Sequence, residues 1–191
     1  MPKLGMQPVR KVQIIKPTMH CITTLGIHKS SMQKIADEAQ INPSLIVHYF
    51  NDRSQLLTEV YMYLYQIMAS EVRWRIGGAI APIDKVKAIC EAQLCDDILK
   101  REIVVTWVAL FALIPELPSL ARLDRIYRAR VRSNLAHHLR HAGFSRDQTR
   151  QVCLELPALI DGLWLHKAAE PTVSGKEMRS VVNAYLQRMA D

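Results

Sequence analysis

Apolar side chains recur at intervals of three and four along almost the whole chain, and no stretch alternates apolar and polar residues as a half-buried strand would. The pattern predicts an all-α fold. The first helix is expected over 9–25, with Val12, Ile15, Met19 and Ile22 on one face and Gly26 supplying a left-handed stop. Pro17 lies inside it and predicts a kink. Ser30 or Ser31 can cap a second helix that carries Met32, Ile35, Ala36 and Ala39, and Ser30 with Gln33 has capping-box spacing. Asn42 followed by Pro43 opens a third, short helix ending near Phe50, since proline at the first helical position lacks only an amide that would have been unpaired. Asp52 caps a long fourth helix, which Gly77, Gly78 and Pro82 bring to an end. Further helices are predicted over 82–99, 103–114, 120–142, 145–169 and 174–189. Residues 1–8, with Pro2, Gly5 and Pro8, read as a flexible arm.

The second and third helices are joined by the tight turn Ala39-Gln40-Ile41-Asn42, and Ala36 is small enough for the two to approach closely. This spacing is that of a helix-turn-helix, which presents the N-terminal side chains of its second helix to the DNA major groove. Pro43, Ser44, Leu45, Val47 and His48 would lie on the leading edge and outer face. Ser44 can exchange a hydrogen bond with a base edge, while Leu45 or Val47 can touch a thymine methyl. Ser30, Ser31, Lys34, Tyr49 and Arg53 are expected at phosphates, where they add affinity and register without reading sequence. The expected partner is double-stranded operator DNA. The expected division is a DNA-binding domain over 1–55 and a ligand-sensing and dimerisation domain over 56–191.

Composition changes this picture little. Half of the residues are apolar (49%), enough for a sizeable core, and 25 Lys and Arg against 18 Asp and Glu favour a polyanionic partner. Within 1–60 the balance is seven basic to four acidic, a net +3. The four cysteines, Cys21, Cys90, Cys95 and Cys153, form no CxxC pair and have no zinc spacing, and they read as reduced thiols. No secretory leader and no apolar run of spanning length is found, so a cytoplasmic protein without a membrane partner is expected. No Ser-His-Asp grouping, HExxH or phosphate loop supports catalysis, and no cofactor is expected. A helical enzyme or carrier without a DNA role is the competing class. Arg122, Arg125, Arg128, Arg130, Arg132 and Arg140 on one helix read as a solvated face, with a second nucleic-acid surface as the alternative.

The run I-A-D-E-A-Q-I-N-P at Ile35 to Pro43, followed by H-Y-F-N-D-R-S-Q-L-L at His48 to Leu57, resembles the DNA-binding domain of the tetracycline-repressor (TetR) family. Ser31, Ile35, Ala36, Ala39, Ile41, Tyr49, Phe50 and Arg53 fit its pattern. Two positions depart. Gln40 stands where the turn glycine is usual, so it must accept a strained backbone or the turn must change, and Val47 replaces a common phosphate-contacting tyrosine. Met1 to Gln7, Leu159 to Leu165, Trp107, Arg122 and Ser133 to Leu135 are similar to the choline-responsive repressors of glycine betaine synthesis within that family. The resemblance implies a homodimeric repressor released by a small-molecule inducer, choline or a related quaternary ammonium compound. Such a cation calls for aromatic faces and a carboxylate, for which Trp107, Phe111, Tyr127, Trp74 and Asp161 are the candidates. It also implies a dimer seam built from the last two helices, through Leu156, Leu159, Gly162, Leu163, Trp164, Val182 and Tyr185. Burial of those residues within one chain suits their sequence equally well.

Overall fold

In a computed structural model, the structure describes residues 7–190, with side chains from Val9 to Met189. The described residues form nine α-helices and no strand: α1 (Gln7–Leu25), α2 (Met32–Ala39), α3 (Pro43–Phe50), α4 (Arg53–Gly78), α5 (Pro82–Gln93), α6 (Arg101–Ala112), α7 (Pro118–His141), α8 (Arg146–Ala169) and α9 (Gly175–Ala190). A single 3-10 turn, Ile27–Lys29, separates α1 from α2. The expected arm lies outside the described residues up to Met6, whereas Gln7 and Pro8 already belong to α1. α1 continues through Pro17 as one helix.

Two boundaries differ from the sequence reading for physical reasons. Ser31, not Ser30, caps α2: its hydroxyl accepts from the Lys34 amide at 3.3 Å, while Ser30 is buried and donates back to Gly26 O at 2.8 Å. The helix expected over 82–99 stops at Gln93. Leu94, Cys95, Ile98 and Leu99 keep the apolar spacing because all four are buried, but they lie in a turn where the Ile98 and Leu99 amides both bond to Cys95 O. Arg179 Nη1 donates to Leu94 O at 2.5 Å, taking up a carbonyl that the helix end leaves over.

The chain forms two compact units, one from residues up to 64 with 105–123, the other from 65–104 with 124–191. In the first, α1 packs on α2 and α2 on α3 around Ile14, Ile22, Ile35, Ala36, Ile46 and Phe50. Each large apolar side chain buried there contributes about 1.5–3 kcal/mol. Tyr61 stacks on Trp107 at 4.8 Å between ring centroids. In the second unit, α9 packs on α8 and α5, burying Met178, Val182 and Leu186 beside Val86, Ile89 and Leu156. Trp164 Nε1 donates to Gln93 O at 3.1 Å.

Candidate nucleic-acid interface and ligand cavity

The segment from Ser31 to Asp52 owes its shape to four local hydrogen-bonding devices. Ser31 caps α2. Gln40 ends it in left-handed geometry at φ 53°, ψ 44°, and its amide returns to Ala36 O and Asp37 O. Gln40 therefore takes the strained backbone that replaces the expected glycine, rather than altering the turn. Asn42 caps α3, accepting from the Ser44 amide at 2.9 Å and from the Ser44 hydroxyl at 2.8 Å. Asp52 caps α4 through the Gln55 amide at 2.8 Å.

Ile46 and Phe50 turn inward and are fully buried, so the opposite face of α3 looks out. Ser44, Val47 and His48 are exposed there, Val47 at 49%, while Pro43, Leu45 and Tyr49 are half-buried. The His48 ring stands edge-on to Tyr49 at 5.2 Å. Ser31 and Lys34 are exposed at the start of α2, close in sequence to exposed Lys29, a basic residue that the sequence reading left out. Ser30 and Arg53 have other work. Ser30 is buried, and Arg53 donates through Nε to Ser30 O at 3.2 Å and through Nη2 to Ile27 O, bracing the 3-10 turn. Both expectations of a phosphate contact are therefore corrected: one hydroxyl is enclosed, and one guanidinium is committed to backbone carbonyls.

In the second unit, a cavity of about 950 Å³ is lined by α5, α7 and α8. Tyr127 and Asp161 both line it. The Tyr127 hydroxyl donates to Gln93 Oε1 at 3.1 Å, and its ring meets Tyr65 edge-on at 4.6 Å. Arg128 joins Asp124 at 2.9 Å to Asp161 at 3.0 Å. Burial pushes the Asp161 carboxyl above the usual carboxylate range, although Arg128 pulls it down. The other three aromatic candidates are not on this lining. Trp107 is buried against Tyr61 in the first unit, to which Phe111 also belongs, and Trp74 is 73% exposed with the Arg75 guanidinium 5.6 Å over its ring. The candidates are therefore not brought into one cage, and Trp107 packs in the core of the first unit.

The residues expected at the dimer seam divide in a similar way. Leu156, Trp164 and Val182 are buried inside their own chain. Leu159, Leu163 and Tyr185 are half-buried, with the Tyr185 hydroxyl donating to Glu155 at 2.7 Å. Gly162 is exposed and a side chain placed there would meet nothing within 4 Å. The sequence reading missed Leu154 and Leu165, which are 76% and 60% exposed. The signal was present: Leu154, Ala158, Gly162 and Leu165 fall at helical spacing on one uncharged stripe of α8.

Residues 14–60 match the family described as bacterial regulatory proteins, tetR family, and residues 82–191 match the family described as BetI-type transcriptional repressor, C-terminal. The chain belongs to the TetR family. Its C-terminal half is of the BetI type, and it is a DNA-binding transcriptional repressor rather than an enzyme. The HTH-type transcriptional regulator BetI 1 of Chromohalobacter salexigens is 33% identical over 172 residues, which span 90% of this chain and 85% of that one. The BetI regulator of Pectobacterium carotovorum is 31% identical over 191 residues, 98% of this chain and 97% of that one. Among solved structures, a transcriptional regulator from Saccharomonospora viridis, described as in complex with choline, superposes with a TM-score of 0.83 at 18% identity, covering 94% of this chain and 96% of that one. The helix-turn-helix of the TetR family is thus the segment from α2 to α3 built above, and of the runs similar to choline-responsive members all but Met1 to Gln7 fall in the BetI-type half.

Proposed function

We propose that the chain acts in the cytoplasm as a homodimeric repressor, with the outer face of α3 entering the major groove of a two-half-site operator. The observation that carries this is the exposed row Ser44, Val47 and His48, with half-buried Pro43 at its start, held outward because Ile46 and Phe50 anchor the opposite face. Ser44 spends its donor on Asn42, which leaves its lone pairs to accept from a base amino group. Two-fold half-sites require a second copy, and the uncharged stripe of α8 that includes Gly162, with Leu159 and Leu163 beside it, is the surface we assign to that copy. Leu156, Trp164 and Val182 support the seam from within.

The inducer is a quaternary ammonium compound, choline first, in control of glycine betaine synthesis. The BetI-type half and the choline-bound structural neighbour support this reading. Tyr127 and Asp161 are the groups we assign to it. α4, α6 and α7 each run from one unit into the other, so ligand binding in the second has helical routes to the first. Coupling of about 1–3 kcal/mol is sufficient for induction.

Substituting Ser44 and His48 together with alanine should weaken a gel shift on the chain's own upstream duplex at least tenfold while the mass in solution stays that of the dimer. An unchanged shift would remove the placement of α3 in the groove. Calorimetric titration with choline tests the inducer separately, and absence of heat would remove choline while leaving the repressor.

A further inference from the structure

The cavity of the second unit has a charge pattern that a quaternary ammonium ligand does not explain. Five arginines line it against two aspartates. Arg128 is matched by Asp161 at one end. At the other end the lining includes Arg132 and Arg140 from α7, and Arg146 and Arg150 from the first turns of α8, with Asp147 alone to offset them. Among the described residues, the Arg132, Arg146 and Arg150 guanidinium groups enter no ion pair. The positive end of the α8 dipole falls at the same place. At helical rise Arg140 stands about 18 Å from Arg128 and Arg132 about 6 Å, so the unpaired basic groups run from one turn beyond the matched pair to the turn between α7 and α8.

A second observation is independent of charge. Thr149 lines the same end, is only 6% exposed, and its hydroxyl has no hydrogen-bond partner. A buried hydroxyl without a partner is costly unless something fills its place. Between the two ends the wall is apolar, with Ile89, Val131, Leu135 and Ile160. Its volume lies in the range of small-molecule sites.

We infer that this cavity binds an amphipathic carboxylate, its apolar body along Val131, Leu135 and Ile160 and its anionic head among Arg132, Arg146 and Arg150, with Thr149 donating a hydrogen bond to it. Arginine suits the role because its fixed fork of donors matches a carboxylate. The site stands whether or not choline is the inducer, because its anionic head is held by arginines other than the one paired with Asp161.

The test compares two probes of equal chain length and opposite head charge, decanoate and decyltrimethylammonium, titrated calorimetrically into the full chain below their micellar concentrations. Decanoate should bind at least tenfold more tightly. The double variant Arg132→Gln with Arg150→Gln should lose that preference and still shift operator duplex, and Thr149→Val should weaken decanoate by a smaller factor. The inference is overturned if the cation binds as tightly, if decanoate gives no heat with protein that still shifts DNA, or if the double variant keeps the preference. Decanoate binding without choline heat would sink the choline assignment and leave this one standing.

Discussion

Two helical hairpins in this chain use the same turn chemistry to opposite ends. α2 and α3 are eight residues each and meet through a left-handed residue, Gln40, and a capping residue, Asn42. α7 and α8 are 24 residues each and meet through left-handed Gly143, φ 92°, and Ser145, whose side chain and backbone form a full capping box with Gln148. The short hairpin closes completely: Ile35, Ala36, Ile46 and Phe50 have no exposure, and its polar groups face outward. The long one buries Leu139 and Val152 near its turn and is tied at its far end by Arg128 to Asp161, yet leaves a cavity that its own arginines line. Closure makes an external reading edge, whereas incomplete closure over a longer span leaves a pocket open to solvent on the side where Arg132, Arg146 and Arg150 are exposed.

That contrast breaks most visibly in the cores. Phe50→Ala should cost about 3–5 kcal/mol, because it opens a hole in a fully packed site. Leu135→Ala, on a wall that already borders the cavity, should cost nearer to about 2 kcal/mol. Denaturant midpoints compare the two, and equal losses would say that the cavity is closed in solution. The Phe50 variant should also lose operator binding, since α3 loses its anchor.

The turns give the next effect. Gly143→Ala should destabilise by about 1–2 kcal/mol, because a β-carbon is disfavoured in left-handed backbone. Gln40→Gly should act in the other direction, raising stability by about 0.5–1 kcal/mol through relief of the same strain, less the entropy that glycine adds to the unfolded chain. Thermal melts decide both. A Gln40→Gly variant that melts lower would show that the glutamine side chain offsets its backbone strain.

The smallest effect is on pH. Burial first, then His137, Lys85 and His141, lower the His138 pKa from 6.5. A histidine whose folded pKa is depressed adds stability above its unfolded value and loses it as pH falls through the folded one. Melting temperature should therefore decline between pH 7.5 and 5, and His138→Gln should flatten part of that decline. An identical profile in the variant would assign the pH dependence elsewhere.

Legibility in the sequence followed the range of the interactions. Asn42 with Pro43, Asp52, Gly26 and the glycine-like demand on Gln40 act within a few residues, and each was readable because a cap or a left-handed turn needs a particular residue type at a particular offset. Ser30 and Arg53 were misread for the opposite reason. Gly26 O is four residues from Ser30, yet whether a serine bonds backward into the chain or outward to a ligand depends on burial, and Arg53 reaches Ile27 across 26 residues. The neighbour of Trp107 was hidden likewise, since only packing shows that Tyr61 stacks on it.

The amino-acid order alone determined the nine-helix pattern, the helix-turn-helix and the family, because periodicity, capping and turn geometry are local and survive in any context. Tertiary structure alone decided which arginines face a cavity, which serine is enclosed and which apolar residues of α8 remain uncovered. Those outcomes depend on which helices meet, and a helix carries the same spacing of residues whether its face ends against a core, a cavity or open space.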